Sequence, residues 1–433
     1  MKTMKSSFFA VALAALAASA EVSVSVDSFT DLGNGDVRIE YTLSGAPAVV
    51  TMDIETNDLG AWESIGGEHV RNVSEDSAVF RRVDSDGRHA IVWRAGIDWP
   101  GNSVADGVRA KITAWPLTDT PAYMVVDISS NATPQTVRRY YPAVEFLPGG
   151  ILENLDYRTS KIVMRKIPAK GVTWQMGSET TESNRDADEA LHTVTFDHNY
   201  YAGVFEVTQA QFALVAGDRK PSYFSNVGYA TLRPVEKVSW AVARMCDVSS
   251  NAVVTAHYPP NAPYAGSFLG RLRGKTGIDF DLPSEAEWEY ACRAGHGSGK
   301  SGDGTVLNGA NLPGRYNTKG GYPKAGDENY GNTVTNQWTA ANGTAECGSF
   351  APNSWGLYDM QGNVVEWCLD WYKADISALN GAVNTEGASF RVCRGGAWDQ
   401  SFAFVRPASR DFSNPVSDAM RRGIRVFCRA GLE

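Results

Sequence analysis

The sequence predicts an α+β chain in two parts, an all-β sandwich followed by a larger, loop-rich domain of short helices and strands. Three observations carry that prediction. Apolar and polar residues alternate in short runs from Glu21 to about Ser130, a doubly capped helix signature stands at Ser284 to Ala294, and the stretch from about Gly295 to Ser349 is rich in Gly, Asn, Thr and Tyr with little periodicity. A chain of 433 residues exceeds what one ordinary core takes, so two domains are expected. Its 43% apolar and 21% charged residues are those of a globular protein rather than a disordered or fibrous one.

Taken in order, the chain opens with Lys2 and Lys5, an apolar run from Phe8 to Ala17, and Ala18-Ser19-Ala20 before Glu21. That is the charged, apolar, small-residue order of a secretory signal peptide over residues 1–20, with an apolar core shorter than the ~20 residues of a bilayer span. The expectation is a secreted, periplasmic or cell-surface protein with no membrane span after cleavage. Val22, Val24 and Val26 then alternate with polar residues, as do Val37, Ile39, Tyr41 and Leu43, with Gly33-Asn34-Gly35 supplying turn chemistry between them. Further runs at Val49 to Ile54, Ala78 to Val83, Ala90 to Trp93, Val108 to Trp115 and Tyr123 to Ile128 complete an immunoglobulin-like sandwich over 21–130. Pro134, Pro142, Pro148 and Gly149-Gly150 mark 131–160 as a linker, and the second domain is placed at 161–431.

In that domain Ser284 can cap a helix with Glu287 three residues on, and Gly295 is placed to end it. A second helix is expected from Ser239 through Cys246 and a third after Thr208. The long Gly295 to Ser349 stretch exceeds a usual connection and points to a binding or ligand-pinned loop. A formal charge of −9 without a Lys/Arg cluster argues against nucleic acid as a partner. Six cysteines, all after residue 245 and none in a C-x-x-C pair, fit staples or buried thiols rather than a zinc or redox motif. No hydrolase triad, phosphate loop or glycosidase carboxylate pair is recognisable, and Glu189, His192, Arg406 and Arg410 read as structural.

Met176-Gly177-Ser178, Phe205-Glu206-Val207-Thr208, Arg233-Pro234-Val235, Leu282 to Ala291, Gly356 to Trp367, Arg394-Gly395-Gly396-Ala397-Trp398 and the closing Arg406, Ala408, Arg410, Gly423 and Arg425 stand in one order along the chain. In that order they resemble the formylglycine-generating enzyme, or sulfatase-modifying factor, family. The resemblance implies a C-type-lectin-like fold with long loops and bound calcium. It also implies an oxidase that converts a sulfatase cysteine to formylglycine with copper(I) on two thiolates, soft ligands of the kind that ion prefers. Those two cysteines fall between the Gly-Gly-Ser-Trp and Arg-x-Ala-x-Arg strings of the family. Here that interval, Ala397 to Arg406, contains none, and no copper site is expected.

Carried over residue by residue, the resemblance assigns structural calcium to the Asp359 and Glu366 carboxylates and the Gly362 and Val364 carbonyls, hard oxygen donors on a tight turn. A second calcium string would begin near Asn311 and Leu312. The family's disulfide maps to Cys246 and Cys428, and Cys368 with Cys393 is a further candidate pair. The expected function is a non-catalytic module binding a protein or glycan ligand through Trp398, Asp399, Gln400, Phe402 and Phe404, aromatics beside amides. The alternative is a formylglycine-generating oxidase or a related oxidative enzyme.

Overall fold

The computed structural model describes residues 21–431 apart from 58–59, 103, 105–106, 131, 133–136, 218, 226–229, 307–313, 317–342 and 388. Residues 1–20, where a signal peptide is expected, and the Asn311-Leu312 string lie outside the described residues.

The N-terminal strands form two antiparallel sheets. One has the order β1 (Ser23–Asp31), β2 (Val37–Ser44), β6 (Gly87–Trp93). In the other, β3 (Ala48–Thr56) pairs with β4 (Glu63–Ser64), β5 (Arg81–Val83) and β7 (Val108–Pro116). Gly33 and Gly35 turn β1 into β2 at φ of 75° and 87°, backbone that L side chains rarely adopt. The period-2 pattern sets which residues face inward: Val37, Ile39, Tyr41 and Leu43 of β2 share one buried cluster with Val50, Met52 and Ile54 of β3. A short helix, α1 (Ala95–Asp98), follows β6.

The Tyr123 to Ile128 run departs from its expected place in the sandwich. As β8 (Tyr123–Asp127) it pairs with β9 (Arg138–Tyr141) and β10 (Lys161–Ile167) in a five-stranded sheet ordered β18-β13-β10-β8-β9, where β13 is Tyr200–Gly203 and β18 is Phe427–Arg429. The reason is burial on both faces. Tyr123 and Val125 sit in the sandwich's cluster, while Met124 and Val126 sit in the main cluster of the C-terminal region. Tyr141 and Tyr140 of β9, and Val163 and Ile162 of β10, divide in the same way. The 131–160 segment therefore contains a paired strand, and its prolines flank that strand instead of abolishing it.

Beyond β10 come the hairpin β11 (Thr173–Met176) with β12 (His192–Thr195), and a sheet ordered β16-β15-β14-β17. Its strands are β14 (Val365–Trp371), β15 (Arg391–Arg394), β16 (Asp411–Ser413) and β17 (Arg422–Gly423). The helices are α2 (Gln209–Ala216), α3 (Trp240–Arg244), α4 (Phe268–Thr276) and α5 (Glu285–Cys292). The expected capping box of Ser284 with Glu287 forms, and the helix expected after Thr208 carries a second one, Thr208 with Gln211. Among the described residues no helix is long and apolar enough to cross a membrane.

All six cysteines are buried free thiols. Cys246 and Cys428 belong to the same buried cluster but are not joined. Cys368 and Cys393 lie on the adjacent strands β14 and β15 but face opposite sides of the sheet, one in the cluster with Trp288 and the other in the cluster with Trp367. That divergence precludes a bond.

Candidate functional site

The Gly356 to Trp367 string enters the core as a loop and then becomes β14. Asp359 turns at a positive φ of 56° and Gly362 at 92°, and a Cβ on Gly362 would lie 2.3 Å from the Arg315 carbonyl, so only glycine fits there. Gly362 N–H donates to the Gly395 carbonyl at 2.8 Å, tying this string to the Arg394-Gly395-Gly396 string.

Around this turn three buried carboxylates gather. Glu366 accepts from Arg425 Nη2 at 2.7 Å and Nε at 3.0 Å, and from Trp288 Nε1 at 2.7 Å. Arg425 also donates to the carbonyls of Gly203, Val204 and Tyr358, so the guanidinium pins β13 to the loop. Glu206 accepts from Asn363 Nδ2 at 2.6 Å and from the Val364 N–H at 3.1 Å, and the Cys347 thiol lies 3.5 Å from it. Burial, then the charges of Asp359 and Glu366, push Glu206 far above the carboxylate range, with Arg425 opposing. Asp359 accepts from Gly348 N–H at 2.6 Å through Oδ2, while its buried Oδ1 has no hydrogen-bond partner. Burial raises its pKa to about 6 against the pull of Gly348 N–H and Arg425.

The structure thus brings Asp359, Gly362, Val364 and Glu366 together and adds Glu206, which the sequence reading left without a role. Glu206 sits just before the Thr208 cap, and nothing local marks its carboxylate as turned inward. Glu366 spends its oxygens on Arg425 and Trp288, whereas Asp359 Oδ1 is a buried, unpartnered acceptor of the kind a hard cation satisfies. Among the described residues no three His, Cys, Asp or Glu side chains converge as a metal would need.

The Ala397 to Arg406 segment is packed inward at its start. Trp398 is 2% exposed, donates to the Met420 carbonyl at 3.1 Å and meets Phe224 edge-on, which corrects the expectation of an open aromatic. Asp399 pairs with Arg421 at 2.8 Å. Gln400 and Phe402 are half-buried, and Phe404 is exposed. Arg406 binds Glu189 and Glu182, and Arg410 binds Glu285 bidentately at 2.6 and 2.9 Å, so both arginines and Glu189 tie the core together. Burial raises the pKa of all six thiols, Cys428 to about 12.

A mixed domain of several sheets and few helices surrounds a glycine turn locked by Arg425, and sequence comparison gives its family. Residues 161–430 match the sulfatase-modifying factor enzyme 1-like domain, and the chain belongs to that family. It is 34% identical over 308 residues to the formylglycine-generating enzyme of Thermomonospora curvata, covering 61% of this chain and 93% of that protein. It is 30% identical over 218 residues to the chaperone protein LppX of Paenibacillus barcinonensis, covering 47% and 70%. Among solved structures, Treponema denticola variable protein 1 is 25% identical with a TM-score of 0.44, over 62% of this chain and 95% of that one.

Proposed function

We propose that this chain is an exported, non-catalytic member of the family whose C-terminal domain binds a protein or glycan ligand, presented behind an immunoglobulin-like module. The observation that carries the reading is the Ala397 to Arg406 segment. It holds no cysteine, its Trp398 is spent on the core, and the remaining thiols are buried with raised pKa values, which disfavours the thiolate that soft-metal binding requires. Relatives named as an enzyme and as a chaperone share this domain, so family membership is compatible with either use. The binding surface is centred on exposed Phe404, with half-buried Gln400 and Phe402 beside it.

The test is oxygen uptake and peptide mass shift on residues 21–433 with copper(I) and a sulfatase-motif peptide containing cysteine. No turnover beside an active family member is the expected outcome; conversion of cysteine to formylglycine would overturn the reading.

Calcium belongs to the same proposal. Asp359 and the Gly362 and Val364 carbonyls would hold it, with Glu366 behind them neutralised by Arg425. When bound, it would supply structural charge compensation only. Calcium should raise the Tm of the wild type by a few degrees and leave D359N unmoved.

A further inference from the structure

The sheet β18-β13-β10-β8-β9 carries, on its sandwich-facing side, a pocket of about 200 Å³. Strand register explains what lines it. Val125 of β8 stands opposite Arg139 of β9, and Asp127 opposite Lys161 of β10. Alternation then puts Val125, Asp127, Arg139, Tyr141 and Lys161 on one face. Tyr157 closes the pocket from the 148–158 segment.

Most polar groups there already have partners. Lys161 pairs with Asp156 at 2.9 Å, Asp127 accepts from Ser129 N–H at 2.8 Å, and the Tyr157 hydroxyl donates to the Pro148 carbonyl at 2.9 Å. Two do not. Arg139 makes no hydrogen bond or ion pair, and the Tyr141 hydroxyl makes no hydrogen bond, although both line the same small space. Burial lowers the Arg139 pKa; Tyr141 and Glu75 oppose that effect and the like charge of Arg81 adds to it. A half-buried guanidinium without a counter-ion, beside a free hydroxyl donor, is an arrangement that an anion completes.

We propose that this pocket binds a small oxyanion head group, sulfate, phosphate or carboxylate, anchored by the Arg139 guanidinium with the Tyr141 hydroxyl as second donor. Its size suits a single head group, below the volume of a pocket for a drug-sized ligand. Both anchoring groups, Arg139 and Tyr141, precede the matched family domain, of which only Lys161 at its first position lines the pocket, and none of the lining residues belongs to the binding surface proposed above.

The experiment exchanges chloride for sulfate, phosphate or acetate at constant ionic strength and follows the Tm of wild type, R139Q, Y141F and the exposed control R82Q. Sulfate stabilises proteins generally, so the reading is the difference between variants. Wild type and R82Q should gain about 2 °C or more over R139Q in at least one anion, with Y141F between them. The anion that gives the largest difference distinguishes a tetrahedral from a planar head group. Should R139Q fail to fold, R139K, which keeps the charge but loses the planar fork, takes its place. Equal gains in wild type and the Arg139 variant for all three anions would overturn the proposal.

Discussion

At the scale of single residues, Arg425 balances a cluster of buried carboxylates in the C-terminal region. Its guanidinium is fully buried and bidentate on Glu366, and Glu206 and Asp359 also feel it. Removing one partner of a buried ion pair leaves an uncompensated charge, so R425M should lose about 3 kcal/mol or more in denaturant unfolding. A loss under 1 kcal/mol would mean that the carboxylates relax or take up protons without it. Glu236 allows a test by pH. Its carboxylate is buried against the N–H groups of Tyr223 and Phe224, and burial pushes its pKa up to about 7 from 4.5. The folded state therefore holds this proton more tightly than the unfolded chain. The resulting stability is present below about pH 4.5 and is lost as pH rises through 7. The advantage of wild type over E236Q should shrink by about 3 kcal/mol between roughly pH 4 and pH 8, measured as paired unfolding curves.

At the scale of elements, the capping box of α5 is a local device with a local cost. Ser284 accepts from Glu287 N–H at 3.1 Å, and S284A should destabilise by about 1 kcal/mol in urea titration without changing the fold. G362A should do far more, because its Cβ meets the Arg315 carbonyl at a backbone angle that favours glycine. Such devices were legible in the sequence because each is written within a few residues: the Ser284 capping box, the helix after Thr208, the Gly33 to Gly35 turn and the alternation of β2 appear where expected. Helix α4, absent from the elements expected above, carries the same kind of local signal, Ser267 at its start and Gly277 in the left-handed region at its end. What sequence could not convey was partnership across the chain. The Asp359 to Glu366 string was readable as a turn with two carboxylates, but that Arg425 would take Glu366 and that Glu206 would point inward depends on strands brought together by packing. Trp398 was misplaced for the same reason, since an aromatic beside polar residues reads as surface until Phe224 and Met420 are found against it.

At the scale of the whole molecule, the five-stranded sheet is a wall with a core on each side. Tyr358 and Phe205, from the C-terminal region, stack at 5.0 Å within the same cluster as Val50 and Ile91 of the sandwich. Burial of that kind couples the two halves, so calorimetry on residues 21–433 should give one cooperative transition, and two well-separated peaks would contradict the shared core. A shortened chain beginning at Lys161 would lose β8 and β9 and leave β10 as a bare edge beside exposed Phe205 and Tyr358. It should aggregate on expression, and a soluble, folded product would show that the wall is dispensable.

The six unpaired thiols turn this architecture into a set of internal clocks. Cys246, Cys393 and Cys428 lie in one hydrophobic cluster, Cys347 in a second, and Cys292 and Cys368 in a third. An alkylating reagent reaches each sulfur only when its own cluster opens, and each raised pKa slows the reaction further until burial is lost. Labelling followed by peptide mass analysis would therefore read the opening rate of three regions in one unmodified chain. Concerted labelling would mean that the three cores breathe as one body, and staggered labelling would give the order in which they come apart.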